Sequence, residues 1–439
     1  MTKPFQAQTA TMVHNPFFVG QPVPPERFVG RISEIETAFD QISNRSNLAI
    51  WGGPGIGKSS FLEQLASPQV WQLRGHDPSE AVIILFSCLS IHPFSASGFW
   101  REVLSLIRDG LNSIPALQAE IDTLLEKGEA SKDGLRQLLR QLGKQKKFLV
   151  LLVDDYDAAL RPQEQYTETD IAAFMSECRN LAYHSQERKY LSMVVTSLRR
   201  LNELGAQLTP DGSPWYNHYL FQPLKLFTET EVAALLGCMP MTPALRDGIR
   251  EIAGGHPALL QIAGYLLYQE LKTGQVPNVE TFAKGFESAT RHFFQDAWAL
   301  SNEVEQSLLM LSALCGLKGR LYKKRYDLGN IDIIFSQRER ELTDLEERSI
   351  IIRTVKEGKT VYSFASSMME WWVVKEIENT DEAALQQRQK LFLNLMSHKQ
   401  AEKVTTAIRW LWQHKEEVPS ILQWIGKLAT ALPKGVISG

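Results

Sequence analysis

The eight residues from Gly52 to Ser59, with the sequence GGPGIGKS, constrain the fold of this chain more than any other segment. They form a G-x-x-x-x-G-K-[ST] loop, in which glycines let backbone N–H groups approach the phosphates of a nucleoside triphosphate. Apolar residues 48–51 precede the loop as a predicted strand, and residues 61–65 begin a predicted helix whose N-terminus favours anions. The segment therefore predicts a P-loop NTPase domain.

Each part of this phosphate loop has an expected role. The side chain of Lys58 should bridge the β- and γ-phosphates, and the hydroxyl of Ser59 should hold Mg²⁺. Inward-pointing backbone N–H groups should supply further contacts. The predicted phosphate-binding residues are Gly53, Pro54, Gly55, Ile56, Gly57, Lys58, Ser59 and Ser60.

A second motif lies downstream of the loop. Residues 148–153 are all apolar, as in a strand buried on both faces of a parallel sheet, and Asp154 and Asp155 follow directly. Ligands of open α/β sheets bind at this end of the strands. We expect Asp154 to contact Mg²⁺ through water and Asp155 to polarise the attacking water. The alternative is a strand that ends in a solvated acidic turn.

Composition narrows the class of protein. A length of 439 residues suggests about three domains, and a net charge of −3 gives no general attraction to nucleic acid or to an anionic membrane. We find no apolar run long enough to span a bilayer and no signal-peptide pattern, so we expect a cytoplasmic protein. The cysteines make no zinc spacing and predict buried free thiols: Cys88, Cys178, Cys238 and Cys315.

The order of predicted elements gives the fold class. Further strands at 81–86 and 190–197 alternate with helices, which predicts an α/β P-loop NTPase core, a parallel sheet wrapped by helices. Between Thr228 and Gly285 we expect an all-α subdomain of short helices. The predicted domains are an extended lead-in (1–27), the nucleotide-binding domain (28–225), a helical lid (226–290), a winged helix (291–384) and a helical tail (385–439).

The order of motifs resembles the STAND branch of the AAA+ ATPases, which is related to the NLR-type immune receptors. The resemblance covers roughly residues 15–375 and rests on an ordered set of segments, of which the phosphate loop alone indicates only a P-loop NTPase. The segments are Phe28–Arg31, Gly52–Ser59, Val153–Asp155, Thr196–Ser197, Gln222–Leu224, Gly255–Pro257 and the predicted winged helix.

The resemblance implies ATP and ADP as ligands and assigns roles to further residues. Three would lie against adenine and ribose, one of two hydroxyl residues would sense the γ-phosphate with an arginine nearby, and a proline would close over the base. Core packing at Phe28-Val29 and simple helix punctuation at Gly255–Pro257 are the alternatives. The residues against adenine and ribose would be Val29, Gly30 and Arg31. The sensor would be Thr196 or Ser197 with Arg199 or Arg200 nearby, and the proline would be Pro257.

One stretch departs from the family pattern. Many relatives carry an arginine that acts on the nucleotide of a neighbouring subunit, but the matching stretch here is Ser213–His218, which has no arginine. A trans-acting arginine can raise the rate by several powers of ten. We therefore expect slow hydrolysis, or catalysis by Arg199 or Arg200, and a switch rather than a motor.

The C-terminal half leaves alternatives open. The basic cluster Lys318–Arg325 would suit DNA, but residues 338–348 mix both signs of charge, so we expect DNA binding to be weak. Trp410, Trp412 and Trp424 lie on helical apolar faces, which fits a bundle, an adaptor domain that binds an effector, or, less well, a membrane-inserting helix.

The sequence thus predicts a STAND signalling switch that hydrolyses ATP slowly to ADP and phosphate with Mg²⁺. ADP would hold it closed, and ATP with a trigger would open or assemble it, with a nucleotide-dependent homo-oligomer as one outcome. The resemblance suggests a setting in antiviral defence or regulated cell death. The alternatives are a DNA-associated AAA+ ATPase that uses the winged helix, and a nucleotide-stabilised scaffold with little hydrolysis.

Overall fold

A computed structural model describes residues 14–111, 115–128, 130–205, 214–272, 277–321, 326–356 and 358–432. Two compact units emerge. The sheet unit consists of the described parts of Pro22–Leu226 with Thr343–Ile351, and the helical unit of those of Met1–Gln21, Phe227–Leu342 and Ile352–Gly439.

The sheet unit is built on five parallel strands in the order β2-β3-β4-β1-β5. The strand register places Ile50 beside Thr196 and Ser87 beside Asp154. Polar residues at the C-terminal ends of adjacent strands therefore lie along the same edge of the sheet. The sequence predicted four of the five strands and missed the last. The strands are β1 Asn47–Trp51, β2 Ala81–Ser87, β3 Phe148–Asp154, β4 Leu191–Ser197 and β5 Tyr219–Pro223.

Burial explains why β3 is central. Every residue of β3 is buried, and its side chains alternate between two apolar clusters, with Val150 and Leu152 in one and Leu151 and Val153 in the other. This confirms the predicted strand with helices on both faces of the sheet. The helices of Pro22–Leu226 are α1 Ile32–Ser43, α2 Lys58–Ala66, α3 Pro68–Leu73, α4 Ala96–Gly110, α5 Pro115–Glu126, α6 Lys132–Lys144 and α7 Glu168–Arg179.

The remainder of the chain is largely helical, with one hairpin. The hairpin strands are β6 Ile351–Lys356 and β7 Lys359–Phe364. The division between units falls within α14. The helices are α8 Glu229–Leu236, α9 Pro243–Ala253, α10 Pro257–Lys272, α11 Val279–Ala299, α12 Glu303–Arg320, α13 Asp332–Ser336, α14 Glu339–Glu347, α15 Ser367–Asn379, α16 Glu382–Leu395, α17 His398–Gln413, α18 Ile421–Trp424 and α19 Gly426–Ala431.

One helix, α11, is longer than the sequence predicts. The 21 residues of α11 run through residue 290, where the sequence suggested a boundary between lid and winged helix, and they are not a short helix. An asparagine cap explains the start, because the side chain of Asn278 accepts hydrogen bonds from the N–H groups of Glu280 and Thr281.

The C-terminal tail packs into the helical unit. The indole of Trp424 is 1% exposed and donates to the carbonyl of Ser367 at 2.8 Å. A Cβ at Gly248 of α9 would lie 2.7 Å from Cα of Leu428, so the two backbones touch. The indole of Trp412 donates to the carbonyl of Ile377. These contacts contradict a separable adaptor with exposed aromatic anchors and favour the bundle alternative.

The N-terminal segment is also tied down. The amide of Asn15 donates to the carbonyl of Tyr265, and the N–H of Phe18 donates to the side chain of Gln261. Phe17 is buried against Gly264, where a Cβ would collide with its ring. Residues 15–18 of the predicted lead-in therefore form a strap along α10.

Two predictions from the sequence concern membrane-spanning helices and the burial of the cysteines. No helix within the described ranges is both long and apolar enough to cross a membrane. Cys88 and Cys178 are buried as predicted, but Cys238 is partly exposed and Cys315 is exposed. The prediction of four buried thiols is thus wrong at Cys315.

Candidate nucleotide site

The phosphate loop joins β1 to α2 in the predicted strand–loop–helix order. Gly55 and Gly57 have φ angles of 74° and 100°, which side-chain-bearing residues rarely adopt. Gly57 caps α2, so the free N–H groups of the first turn of α2 lie next to the loop. This arrangement suits phosphate oxygens.

Lys58 is the first residue of α2 and is buried, not exposed. Its ammonium group donates to the carbonyls of Gly52 at 2.8 Å and Gly53 at 3.0 Å. Burial lowers the pKa of Lys58, and the nearby carboxylates of Asp154 and Asp157 oppose that shift. The loop therefore holds a poorly solvated cation, which is how a phosphate partner is made strong.

Asp154 ends β3 beside β4. Its carboxylate accepts hydrogen bonds from the hydroxyl of Thr196 and from the N–H of Asp155. Thr196 therefore orients the predicted metal ligand. Its predicted role as a γ-phosphate sensor stays a prediction.

Asp155 has a backbone in the left-handed region, with φ 50° and ψ 40°. Its carboxylate accepts a 2.7 Å hydrogen bond from the hydroxyl of Ser87, the last residue of β2. Burial raises the pKa of Asp155, while the hydrogen bond from Ser87 opposes this. A carboxyl group with a raised pKa is a better proton acceptor at neutral pH.

Two polar residues of this edge were missed from the sequence. Ser87 gave no signal because a serine at a strand end is common in turns. Asp157 is 5% exposed, pairs with Arg161, and has one carboxylate oxygen with no hydrogen-bond partner in the described chain. Asp157 lies close to Asp154 and Asp155 in the sequence, and this spacing could have identified it as a candidate site residue.

The two candidate arginines have partners in the sheet unit. Arg199 pairs with Glu203 at 3.5 Å, and the carbonyl of Arg199 accepts from the hydroxyl of Ser197. Arg200 pairs with Glu347 and lies 5.0 Å above the ring of Trp51. Both guanidinium groups are thus engaged in the described structure.

Arg31 supports the loop from behind. It is the N-cap residue of α1, with φ 59°, and its guanidinium donates to the carbonyls of Ile56 and Lys225 and pairs with Glu34. These bonds give Arg31 a structural role. A contact with adenine and ribose by Val29, Gly30 or Arg31 stays a prediction.

The other predicted nucleotide-contacting residues lie in different parts of the structure. The hydroxyl of Ser60 accepts from the N–H of Val23, which fixes the approach to the loop. A Cβ at Gly53 would lie 2.8 Å from the carbonyl oxygen of Arg348, so segment 343–351 packs against the loop. Pro257 is buried at the start of α10 in the helical unit, and its role over the base stays a prediction.

The stretch matching the relatives' arginine offers no substitute cation. Ser213 lies outside the described residues. Burial lowers the pKa of His218, at the position of the missing arginine, to about 4. This imidazole is therefore uncharged at neutral pH and cannot replace a guanidinium.

The donor set fits Mg²⁺. Ser59 offers a hydroxyl and Asp154 a carboxylate, and Mg²⁺ usually takes one or two such protein oxygens and keeps water and phosphate as its other ligands. The described part of the chain has no cluster of three or more His, Cys, Asp or Glu side chains that could hold a metal alone.

Comparisons with known structures show limited likeness. The Walker-type ATPase of Pyrococcus abyssi is 14% identical, with a TM-score of 0.48, over 82% of this chain and 99% of its own. The Aeropyrum pernix ORC2 protein in its ADPNP–ADP complexes is 13% identical, with a TM-score of 0.48, over 90% and 97%. Because both TM-scores are below 0.5, no functional conclusion follows.

The sequence comparison is more direct. No curated protein matches the chain. The family model for an AAA ATPase domain matches residues 27–194, which include the phosphate loop, Ser87 and the Asp154–Asp155 pair. Residues 27–194 of this chain therefore match an AAA ATPase domain.

Proposed function

We propose that this chain is an ATP-dependent switch of the STAND type that hydrolyses ATP slowly with Mg²⁺. The observation that carries the proposal is the polar edge of the sheet, where Lys58, Asp154 and Asp155 meet beside Ser87. The engaged arginines and the uncharged His218 support slow turnover.

In this proposal each residue has one task. The loop N–H groups and Lys58 bind the phosphates. Ser59 and Asp154 would hold Mg²⁺, which neutralises phosphate charge when bound. Asp155 accepts the proton of the attacking water, and Ser87 fixes the orientation of its carboxylate.

The switch itself follows from unequal affinities. ADP would favour a closed state, and ATP with a trigger would favour an open or assembled state, each only by its difference in affinity for the two. The resemblance supports a signalling role in defence or regulated cell death. An effector partner, if present, would not use Trp424 as an anchor, because that side chain is internal.

Binding and hydrolysis variants test the proposal. Lys58→Ala should weaken ATP binding at least about 30-fold in calorimetry with Mg²⁺, because a buried charge partner is lost. Lys144→Ala, on an exposed residue outside the site, is the control. Unchanged affinity in Lys58→Ala would refute the loop assignment.

Asp155→Asn should keep ATP binding and slow single-turnover hydrolysis by about 10²–10⁴-fold, as expected for loss of a general base. If the wild-type protein hydrolyses ATP no faster than Asp155→Asn, the result would instead support the nucleotide-stabilised scaffold. A tenfold loss in Arg199→Ala or Arg200→Ala would identify a catalytic arginine.

DNA binding is the second candidate, favoured by the hairpin. Arg353, Lys356 and Lys359 are exposed on β6 and β7, whereas Tyr322–Arg325 of the basic cluster lie outside the described residues. Only nanomolar, salt-sensitive binding of a duplex at about 0.15 M salt, lost when these three become glutamate, would promote this candidate.

A further inference from the structure

Segment 343–351 lies against the phosphate loop within the sheet unit. A Cβ added at Gly53 would be 2.8 Å from the carbonyl oxygen of Arg348, so a side chain at this position would collide with that backbone. The N–H groups of Arg348, Ser349 and Ile350 donate to carbonyls earlier in the same segment, which fixes its turn. The phosphate loop is thus contacted at Gly53 by a turn from far along the chain.

One ion pair joins the same segment to the residues that follow β4. The guanidinium of Arg200 donates from Nη2 to Oε1 of Glu347, the last residue of α14. The guanidinium carbon of Arg200 also lies 5.0 Å from the ring centre of Trp51, the residue directly before the phosphate loop. The N–H of Gly52 donates to the carbonyl of Ser197, which ties the end of β4 to the loop. Arg200 is therefore held beside the start of the loop, with Glu347 as its ionic partner.

This ion pair uses only part of the hydrogen-bonding capacity of its members. Nε of Arg200 and Oε2 of Glu347 have no hydrogen-bond partner in the part of the chain that the structure describes. A guanidinium can make two parallel hydrogen bonds to a phosphate, and such a bidentate pair is stronger than a single bond. The side chain of Arg200 is 38% exposed, so it has room to move. A phosphate group could therefore replace Glu347 with a gain in hydrogen bonds.

The charges around Arg200 are balanced. Burial raises the pKa of Glu203, the nearby Asp344 raises it further, and three guanidinium groups oppose the shift. These groups therefore lie near one another. A γ-phosphate would add negative charge beside this cluster and compete with Glu347 for an arginine, whereas ADP lacks that phosphate. The guanidinium groups are those of Arg199, Arg200 and Arg348, and the carboxylates are those of Glu203, Asp344 and Glu347.

We propose that Glu347 competes with the γ-phosphate of ATP for Arg200 and so sets the preference of the site between ATP and ADP. The competition presupposes the proposed function, because the site must bind both nucleotides. With ADP bound, Glu347 keeps Arg200. With ATP bound, the γ-phosphate takes Arg200, and segment 343–351 is held less tightly at Gly53. Both flanks of the segment continue into the helical unit, so the chain itself links that unit to the nucleotide state.

Nucleotide affinities of single and double variants test the competition. Calorimetry with Mg²⁺ compares ADP with a non-hydrolysable ATP analogue in which NH replaces the oxygen between the β- and γ-phosphates. We expect Glu347→Gln to bind the analogue about tenfold more tightly and ADP within about twofold of the wild type. In an Arg200→Ala chain, Glu347→Gln should leave both affinities unchanged, because the arginine through which Glu347 acts is absent. Glu339→Gln, at the exposed start of α14, is the matched control.

Three results would contradict this competition, and only the first also contradicts the proposed function. The first is a wild-type chain that binds neither nucleotide. The second is a chain that binds both, with an affinity ratio that Glu347→Gln does not change. The third is equally tighter analogue binding with and without Arg200, because simple repulsion between Glu347 and the phosphates would then explain the effect.

Hydrogen exchange on the wild-type chain needs no substitution. The analogue should speed amide exchange in the peptide that covers residues 343–351 several-fold relative to ADP, because ATP and the segment weaken each other's binding by the same factor. A peptide from β3, whose residues are all buried, should exchange equally with either nucleotide. Equal exchange of residues 343–351 with the analogue and with ADP would refute the release of the segment.

Discussion

The sheet unit and the helical unit achieve stability by different means. The sheet unit is organised around β3, whose side chains are all buried, and its candidate site residues lie at or just after the C-terminal ends of the strands. In the helical unit, segments from both ends of the chain pack against the interior: Leu428 approaches the backbone of Gly248, the ring of Phe17 packs on Gly264, and Ala365 closely approaches Gly254. We therefore expect a change at Asp155 in the first unit to affect the fold less than loss of the terminal segments of the second unit, which are part of its core.

Removing the tail should give the largest effect on this contrast. A chain that ends at residue 380 loses the buried Trp424 and Leu428, and each large core side chain contributes about 3–5 kcal/mol. We expect the helical unit to unfold and the chain to aggregate, as measured by light scattering and circular dichroism. A chain that ends at Leu432 is the control. A soluble, monodisperse 1–380 chain with the wild-type unfolding temperature would restore the separable tail.

Gly254→Ala should have the next largest effect. Gly254 has φ 61°, and an added Cβ would collide with the carbonyl oxygen of Ala365. We expect a loss of about 3 kcal/mol or more in the free energy of unfolding of the helical unit. Gly426→Ala, with open space around the new Cβ, should change it by less than about 0.5 kcal/mol. Equal unfolding temperatures for the two variants would show that backbone approach does not limit this unit.

Glu187→Gln probes the sheet unit and should have a smaller effect. The carboxylate of Glu187 is buried, which by itself would raise its pKa, but hydrogen bonds from Arg140 and Arg136 lower the pKa to about 2. Because the pKa is lower in the folded state, this stabilisation is complete above the unfolded-state pKa and disappears as the pH falls from about 5 to about 2.

We therefore expect Glu187→Gln to destabilise the sheet unit by about 2 kcal/mol at pH 7, allowing for the partly exposed arginines, and by almost nothing at pH 2. Urea unfolding across this pH range measures the difference. Asp133→Asn, at an exposed partner of Arg136, is the control and should have little effect. A difference independent of pH would assign the stabilisation to packing.

The same contrast explains what the sequence could predict. The six apolar residues before Asp154 predict a strand buried on both faces, and the glycine spacing predicts a phosphate loop. The sheet and the candidate residues Lys58, Asp154 and Asp155 could therefore be predicted from local sequence patterns. β5 was missed because its short sequence, Tyr219–Pro223, ends in proline and has no long apolar run.

Long-range contacts could not be predicted in this way. Nothing local indicates that Glu347 pairs with Arg200, that Phe17 packs on Gly264, or that Ser87 meets Asp155. Each depends on where the fold brings distant residues together. The buried Trp424 was misinterpreted for the same reason, because an apolar helical face does not reveal its partner.

Segment 343–351 has a consequence for the order of synthesis. The ribosome completes Pro22–Leu226 well before it adds the residues that pack on Gly53 and pair with Arg200. The sheet unit of a nascent chain thus lacks its last piece until translation passes Ile351, although its five strands are already present. The strap at Phe17 likewise waits for α10. Larger proteins usually fold domain by domain during synthesis, and in this chain each unit has contacts that form only after a later segment has been made.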